Sequence, residues 1–335
     1  MNPPHTMPPA RRAVLTLGAV AALSTALPGS PAQARPGRPP DESLSAPGQL
    51  WISRGLLHHS TVLQSFAFDE RRGHMYALQV MQGGVRLTGE KRALSHAERR
   101  ARGDLCLNRL SMNGALTGYM YLTGFGHGNA ALGVQSAART AGVLWLEWDA
   151  EPRRGFGRGI ARIRFVHGQV LARDSRVVTG FHPMPGSTDN AVALDEEAGG
   201  RLLLSYKRDG SARLALYDFR RFAARDFRPL TDIPQPGAEL RLPFQGLALH
   251  GRYAYQLLGS GYSPANRTGN TRLYRVDLRS GRVAERAWER SGHALRPREP
   301  EGLAVVRAGG PWLCLGYTQG PARNRAFSLY YKPIN

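Results

Sequence analysis

Along most of the chain, apolar and polar positions alternate with a period of two, and Gly, Pro, Asn and Asp interrupt the alternation at short intervals. That period predicts strands joined by tight turns. Only Ser95 to Ala101 carries a helical spacing, as one turn within an inserted loop. The alternation also repeats on a longer scale. A polar residue, a small one, an apolar strand, a turn and a second apolar strand recur five times. They appear as Gln64 to Asp69 with His74 to Val80, His127 to Val134 with Val143 to Trp148, and Asp189 to Asp195 with Arg201 to Tyr206. Gln245 to His250 with Arg252 to Leu258, and Glu301 to Val305 with Trp312 to Tyr317, complete the set. Successive units start about 55 to 63 residues apart, the spacing of a repeat architecture.

Each unit has room for a third and often a fourth strand, such as Asp104 to Ser111 with Leu116 to Thr123, or Thr271 to Leu278 with Val283 to Trp288. Small and apolar residues dominate the first strand of a unit, charged residues the later ones. A blade that begins at a crowded axis and ends in water requires that gradient. The expectation is an all-β protein with residues 49–335 forming a single five-bladed β-propeller of four-stranded blades. A pair of β-sandwiches would leave the fivefold spacing fortuitous. The last unit is one strand short, with Ala326 to Lys332 as its third. Gln49 to Arg54 supplies the fourth, so N- and C-terminal strands close the ring in the last blade and remove its exposed edges.

Ahead of the ring, Arg11-Arg12 precede the apolar run Ala13 to Leu27 and the small-x-small site Ala32-Gln33-Ala34. Residues 1–34 read as an export signal of twin-arginine type cleaved before Arg35, and the Pro/Gly-rich residues 35–48 as a disordered leader. The expected location is extracellular, secreted or wall-associated. No later apolar run reaches the ~18 residues of a membrane span. Cys106 and Cys314 are too few for a disulfide scaffold or a zinc site, and both fall in strand interiors, where packed thiols are expected. Lys and Arg number 45 against 25 Asp and Glu, a net charge of +20. Such a surface attracts polyanions, and arginine grips phosphate through paired hydrogen bonds. Export turns the expected partner from nucleic acid to an anionic cell-wall glycopolymer or glycan, bound by a monomer.

The phase of the repeat marks a site. Residues just before each innermost strand should ring one mouth of the central channel: Gln64, His127 with Asn129, Asp189 with Asn190, Gln245, and Glu301 with Glu299. Loops that converge on a concave surface are where propellers bind ligands. The competing role for these polar residues is to tie one blade to the next, or, for Asp189 and Asn190, to start a turn. His127, Glu299 and Glu301 are also the acid–base candidates. No cofactor is implied. His127, Asn129, Asp189, Glu299 and Glu301 offer ligands for a divalent cation, calcium or zinc, without a recognisable ligand spacing. Gly155-Phe156-Gly157-Arg158-Gly159 lacks the following helix of a phosphate loop and reads as a turn in the second blade. Trp145 and Trp148 point to opposite faces of their strand, one into the core. The loop Phe181 to Gly186 leads toward the mouth, its aromatic either stacking on a sugar or packing between blades. The basic loop Arg86 to Arg102 either grips phosphates or stands solvated.

Several segments resemble one family: Thr61 to Asp69, Gly124-Phe125-Gly126-His127-Gly128, Ile160-Ala161-Arg162-Ile163, Arg298-Glu299-Pro300-Glu301-Gly302 and Phe327 to Lys332. It is the β-propeller shared by teichoic acid biosynthesis protein C (TagC) and receptor-binding proteins of phages that attack Gram-positive bacteria. The resemblance runs in order over almost the whole chain behind the leader. It implies a five-bladed propeller associated with wall teichoic acid, a phosphodiester-linked polyol polymer that carries sugars. The first expectation is therefore a binding module for such a polymer. A hydrolase of its phosphodiester or glycosidic bonds and an envelope protein-interaction scaffold are the alternatives.

Overall fold

The computed structural model of the chain describes residues 43–136, 142–197 and 199–334. The expected export signal, and the expected leader as far as residue 42, lie outside the described residues.

Five antiparallel sheets follow one another around an axis. Blade 1 runs Leu63–Asp69, His74–Val80, Leu105–Ser111 and Leu116–Thr123. Blade 2 is Gly133–Gln135, Val143–Ala150, Gly157–Arg164 and Thr179–Phe181. Blade 3 is Thr188–Asp195, Arg201–Arg208, Ser211–Asp218 and Thr231–Pro234. Blade 4 is Phe244–His250, Tyr253–Leu258, Arg272–Asp277 and Arg282–Trp288. Blade 5 is Glu299–Val306, Trp312–Gln319 and Ala326–Pro333, completed by Gln49–Gly55 from the other end of the chain. The five-bladed propeller and its closure by terminal strands are as the sequence predicts.

The second strand of a blade is buried on both faces because blades pack face to face, which explains its nearly unbroken apolar run. Period-two alternation sorts its residues between two neighbours. In blade 3, Leu202 and Leu204 pack with Trp145 and Ile160 of blade 2, while Leu203 packs with Leu258 and Val276 of blade 4. In blade 2, Leu144 and Leu146 turn instead to Leu78 and Leu107 of blade 1. Trp145 is fully buried, whereas Trp148 is partly buried and caps the Arg173 carbonyl. Cys106 and Cys314 are buried free thiols.

Three details differ from the sequence reading. Blade 1 gains a fifth strand, Val170–Ala172, which joins Leu116–Thr123 in parallel; three residues are too few to show a period. The inner strand of blade 2 begins at Gly133, not Ala130, because Ala130 takes a left-handed conformation (φ 68°) and its carbonyl pairs with Leu247 N of blade 4 instead. The described end of the expected leader, 43–48, is laid on the ring. Leu44 is fully buried, and Lys332 Nζ donates to the Leu44 and Ala46 carbonyls at 2.9 and 2.7 Å.

Candidate functional site

One end of the axis opens into a cavity of about 1330 Å³. Gln64, His127, Asn129, Asp189 and Gln245 line it, as do Glu299 and Glu301, so every blade contributes. The cause is local. In four of the five innermost strands the pairing register slips at the ring position: between Leu63 and Ser65, Thr188 and Ala191, Phe244 and Gly246, and Pro300 and Leu303. A β-bulge of this kind re-aims one side chain out of the alternating pattern, here into the mouth. Glycine follows the bulged residue where inner strands crowd. A Cβ on Gly302 would stand 2.9 Å from the Phe66 ring and 3.1 Å from Ser65 Cα.

Asn190 is the exception and corrects the expected ring. Asp189 takes a left-handed conformation (φ 54°) and faces the cavity, which turns Asn190 inward. Asn190 is fully buried and donates to the Gly157 carbonyl at 3.0 Å, tying blade 3 to blade 2. The Phe181 to Gly186 loop stays away from the mouth lining. Phe181 ends the outermost strand of blade 2 and packs on Trp145 and Phe222.

The cavity is blind. The Ala130 carbonyl in the lead-in of blade 2 accepts from Leu247 N of blade 4 at 3.0 Å, across two blades. Ala130 and Ala131 are buried, so this segment spans the axis below the mouth. At the far end Arg307 of blade 5 reaches Asp195 of blade 3 at 2.8 Å, and Asp195 also accepts from Gly251 N of blade 4 at 2.7 Å. Ser136 of blade 2 donates to Asp69 of blade 1 at 3.0 Å. Arg307 N of blade 5 donates to Glu70 of blade 1 at 2.9 Å, so these polar links join all five blades, and nothing in the local sequence announces them.

Glu147, on the second strand of blade 2, holds the mouth loop from beneath. Its carboxylate accepts from His127 N and Gly128 N, each at 2.7 Å, and from Gly157 N. A Cβ on Gly126 would overlap that carboxylate, so only glycine fits there. Burial pushes the Glu147 pKa up to about 8, against the three N–H donors that favour the anion. The sequence signal was available: one acid inside the apolar run Val143 to Trp148.

The walls carry polar atoms without protein partners. His127 Nδ1, Asn129 Oδ1 and Glu301 Oε2 are buried and unpaired, and buried polar groups normally have partners. Burial lowers the His127 pKa to about 4, so its ring is neutral at pH 7, lying 5.0 Å from the Phe156 ring. Glu301 is 2% exposed, and burial with the neighbouring Glu299 charge raises its pKa well above the usual carboxylate range. Burial raises Glu299 as well, while Arg325 opposes the shift. His127 feels Arg100 and Asp189, whereas Glu301 feels Glu299 and Arg325. Among the described residues no cluster of three or more His, Cys, Asp or Glu side chains is placed to hold a metal.

Cations surround this floor. Arg100, Lys207, Arg241, Arg323 and Arg325 line the cavity. Lys207 reaches Asp189 at 3.4 Å, as does Arg154 at 3.3 Å. Arg100 and His96 come from the helix His96–Arg102, where the sequence places its one helical turn. Ser95 caps that helix with a reciprocal bond to Glu98. Buried Arg99 pins the helix to Glu90 and to Asp104 at 2.9 Å, so the basic insertion is anchored rather than freely solvated. The rim was not legible as a unit, because its cations come from a helix, a strand and loops of different blades.

The sequence pattern of the phage five-bladed β-propeller receptor-binding platform domain matches residues 62–331. A Bacillus subtilis (strain 168) protein that carries the name major teichoic acid biosynthesis protein C is 24% identical over 283 residues, which cover 81% of this chain and 59% of that protein. Among solved structures, the tail fibre of Staphylococcus aureus phage P68 shares the fold with a TM-score of 0.63 at 17% identity, over 84% of this chain and 52% of the fibre. The chain thus spans little more than half the length of either.

Proposed function

The chain belongs to the phage five-bladed β-propeller receptor-binding platform family, and from that premise we propose that it is a recognition module for an anionic surface glycopolymer of the teichoic-acid type. The observation that carries this reading is the pairing of an arginine-rich rim with a floor of buried, unpartnered hydrogen-bonding atoms in one blind cavity. A polyol phosphate has the complementary chemistry. Its phosphates meet Arg100, Lys207 and Arg325, and its hydroxyls meet His127, Asn129 and Glu301. A neutral carboxyl group both donates to and accepts from a hydroxyl, so the raised pKa of Glu301 suits a polyol better than a cation. Gln64, Asp189, Gln245 and Glu299 complete the polar wall. An export signal in residues 1–34, as the sequence reads, would carry this module outside the cell, where we propose that it acts as a monomer. The resemblance to a teichoic acid biosynthesis protein and to a phage tail fibre supports a wall polymer as the class of ligand.

Hydrolysis is the second reading, favoured by one feature: Glu299 and Glu301 are neighbouring acids in a cavity, both with raised pKa, as general acid catalysis requires. Titrating the protein with purified wall teichoic acid and then sizing the polymer separates the two. Binding with intact polymer supports recognition, shortened polymer supports hydrolysis, and absence of both overturns the assignment and leaves a protein-interaction scaffold.

A further inference from the structure

A second cavity, of about 640 Å³, lies on blade 4 beside the mouth. One short segment divides the two. Arg298, in a left-handed conformation (φ 52°), lines the second cavity, and the next residue, Glu299, lines the mouth. The loop between the second and third strands of blade 4 leans on this wall. Tyr262 N donates to the Pro297 carbonyl at 2.6 Å. The wall is rigid because the Arg298 guanidinium is fully engaged. It donates to the Ser291 and Glu289 carbonyls, each at 2.8 Å, and to Thr271 Oγ1 at 2.9 Å.

Two aromatic rings line this cavity, Tyr262 and Trp288. Trp288 ends the outermost strand of blade 4 and remains 48% exposed, an unusual place for so large an apolar surface. Each ring has a guanidinium against it: Arg272 at Trp288, and Arg296 at Tyr262, 4.5 Å from the ring centroid. The acid of the cavity, Glu289, is neutralised by buried Lys332. Arg290, His293 and Thr268 add exposed hydrogen-bonding side chains to the lining. An open cavity with aromatic faces and a polar margin fits a sugar ring. Its C–H faces pack on the aromatics while its hydroxyls reach the margin. The volume falls within the ~300–1,000 Å³ of small-ligand sites.

We propose that this cavity is a second carbohydrate site, separate from the channel mouth, that takes a single pyranose ring against Trp288 and Tyr262, with Arg290 and His293 at its hydroxyls. The site stands independently of what the mouth binds. If the mouth holds a polymer backbone, a sugar branch crossing the Pro297 to Glu299 wall reaches this site on the same chain.

Saturation-transfer NMR on the full chain, with methyl glycosides of glucose, galactose and their N-acetylamino forms, tests the proposal. At least one pyranose should show transfer with a Kd on the order of 1 mM. Trp288→Ala should weaken it about tenfold or more, and Tyr262→Ala, in a different element, should weaken it too while thermal melts stay unchanged. No transfer to any pyranose overturns the proposal. So does transfer that survives both substitutions, or transfer that is lost in Glu301→Ala and kept in Trp288→Ala, because the sugar then sits in the mouth. A protein that binds pyranoses through Trp288 but binds no wall polymer keeps this site and loses only the polymer reading.

Discussion

Replacing Glu301 by Gln removes an ionisable proton from the floor of the mouth at almost constant shape. Glu301 is 2% exposed, its Oε2 has no partner, and Glu299 lies two residues away on the same strand. Two residues of a strand span about 6.6 Å. Burial is the larger cause of the raised Glu301 pKa; beyond it, two carboxylates at about that separation repel by about 2.5 kcal/mol at an effective dielectric constant of about 20. The folded-state pKa of Glu301 is raised above its ordinary value of 4.5. The wild-type fold therefore has its full stability below that value and loses stability as pH climbs toward the folded pKa. Glutamine cannot ionise, so Glu301→Gln should melt with the wild type at pH 4.5 and above it at pH 8.5. About 2.5 kcal/mol corresponds to about 5 °C or more in a domain of this size. Differential scanning calorimetry at the two pH values reads the difference. Parallel behaviour, or a variant less stable at pH 8.5, would refute the claim that the floor is held neutral.

Other consequences are as specific. Glu147→Ala strands three backbone N–H groups under the mouth, and at about 1–3 kcal/mol each the variant should lose about 3 kcal/mol or more in urea unfolding. Gly302→Ala places a Cβ at φ 83° against Phe66; backbone strain and overpacking together should cost about 2–4 kcal/mol, readable as a fall in Tm. His127 titrates near pH 4, so ¹H–¹⁵N NMR of its ring should show a neutral imidazole throughout pH 6–8. His127→Ala should weaken polymer binding without lowering Tm, because the loop is held through the backbone N–H of residue 127.

The fold was legible because a propeller is written twice in its sequence, once as the period of two and again as the spacing of the units. Gln64, Gln245 and Glu301 were legible for the same reason, since each sits at the repeated register slip that opens its inner strand. Asn190 was misread because residue type does not reveal which of two adjacent polar side chains a left-handed turn sends outward; the φ of Asp189 decides it. Glu147 was visible as an acid among apolar neighbours, yet its role depends on two amides brought to it by a separate loop and a third from Gly157 on the neighbouring strand. The rim cations and the Arg307–Asp195 clasp form only when distant blades meet, and no local pattern encodes that meeting. The Trp288 cavity was hidden likewise: its two aromatics lie in different elements and share a wall only after blade 4 folds.

The most direct test of the central claim is a calorimetric titration with purified wall teichoic acid at 50 and 500 mM salt, run with wild type and Glu301→Ala. If the arginine-rich rim attracts the phosphates and the floor reads the polyol, affinity should fall about tenfold or more at the higher salt, because screening shortens the reach of the rim. Affinity should fall again, at either salt, when Glu301 is lost. Binding that is absent, or indifferent to both salt and Glu301, would contradict the account.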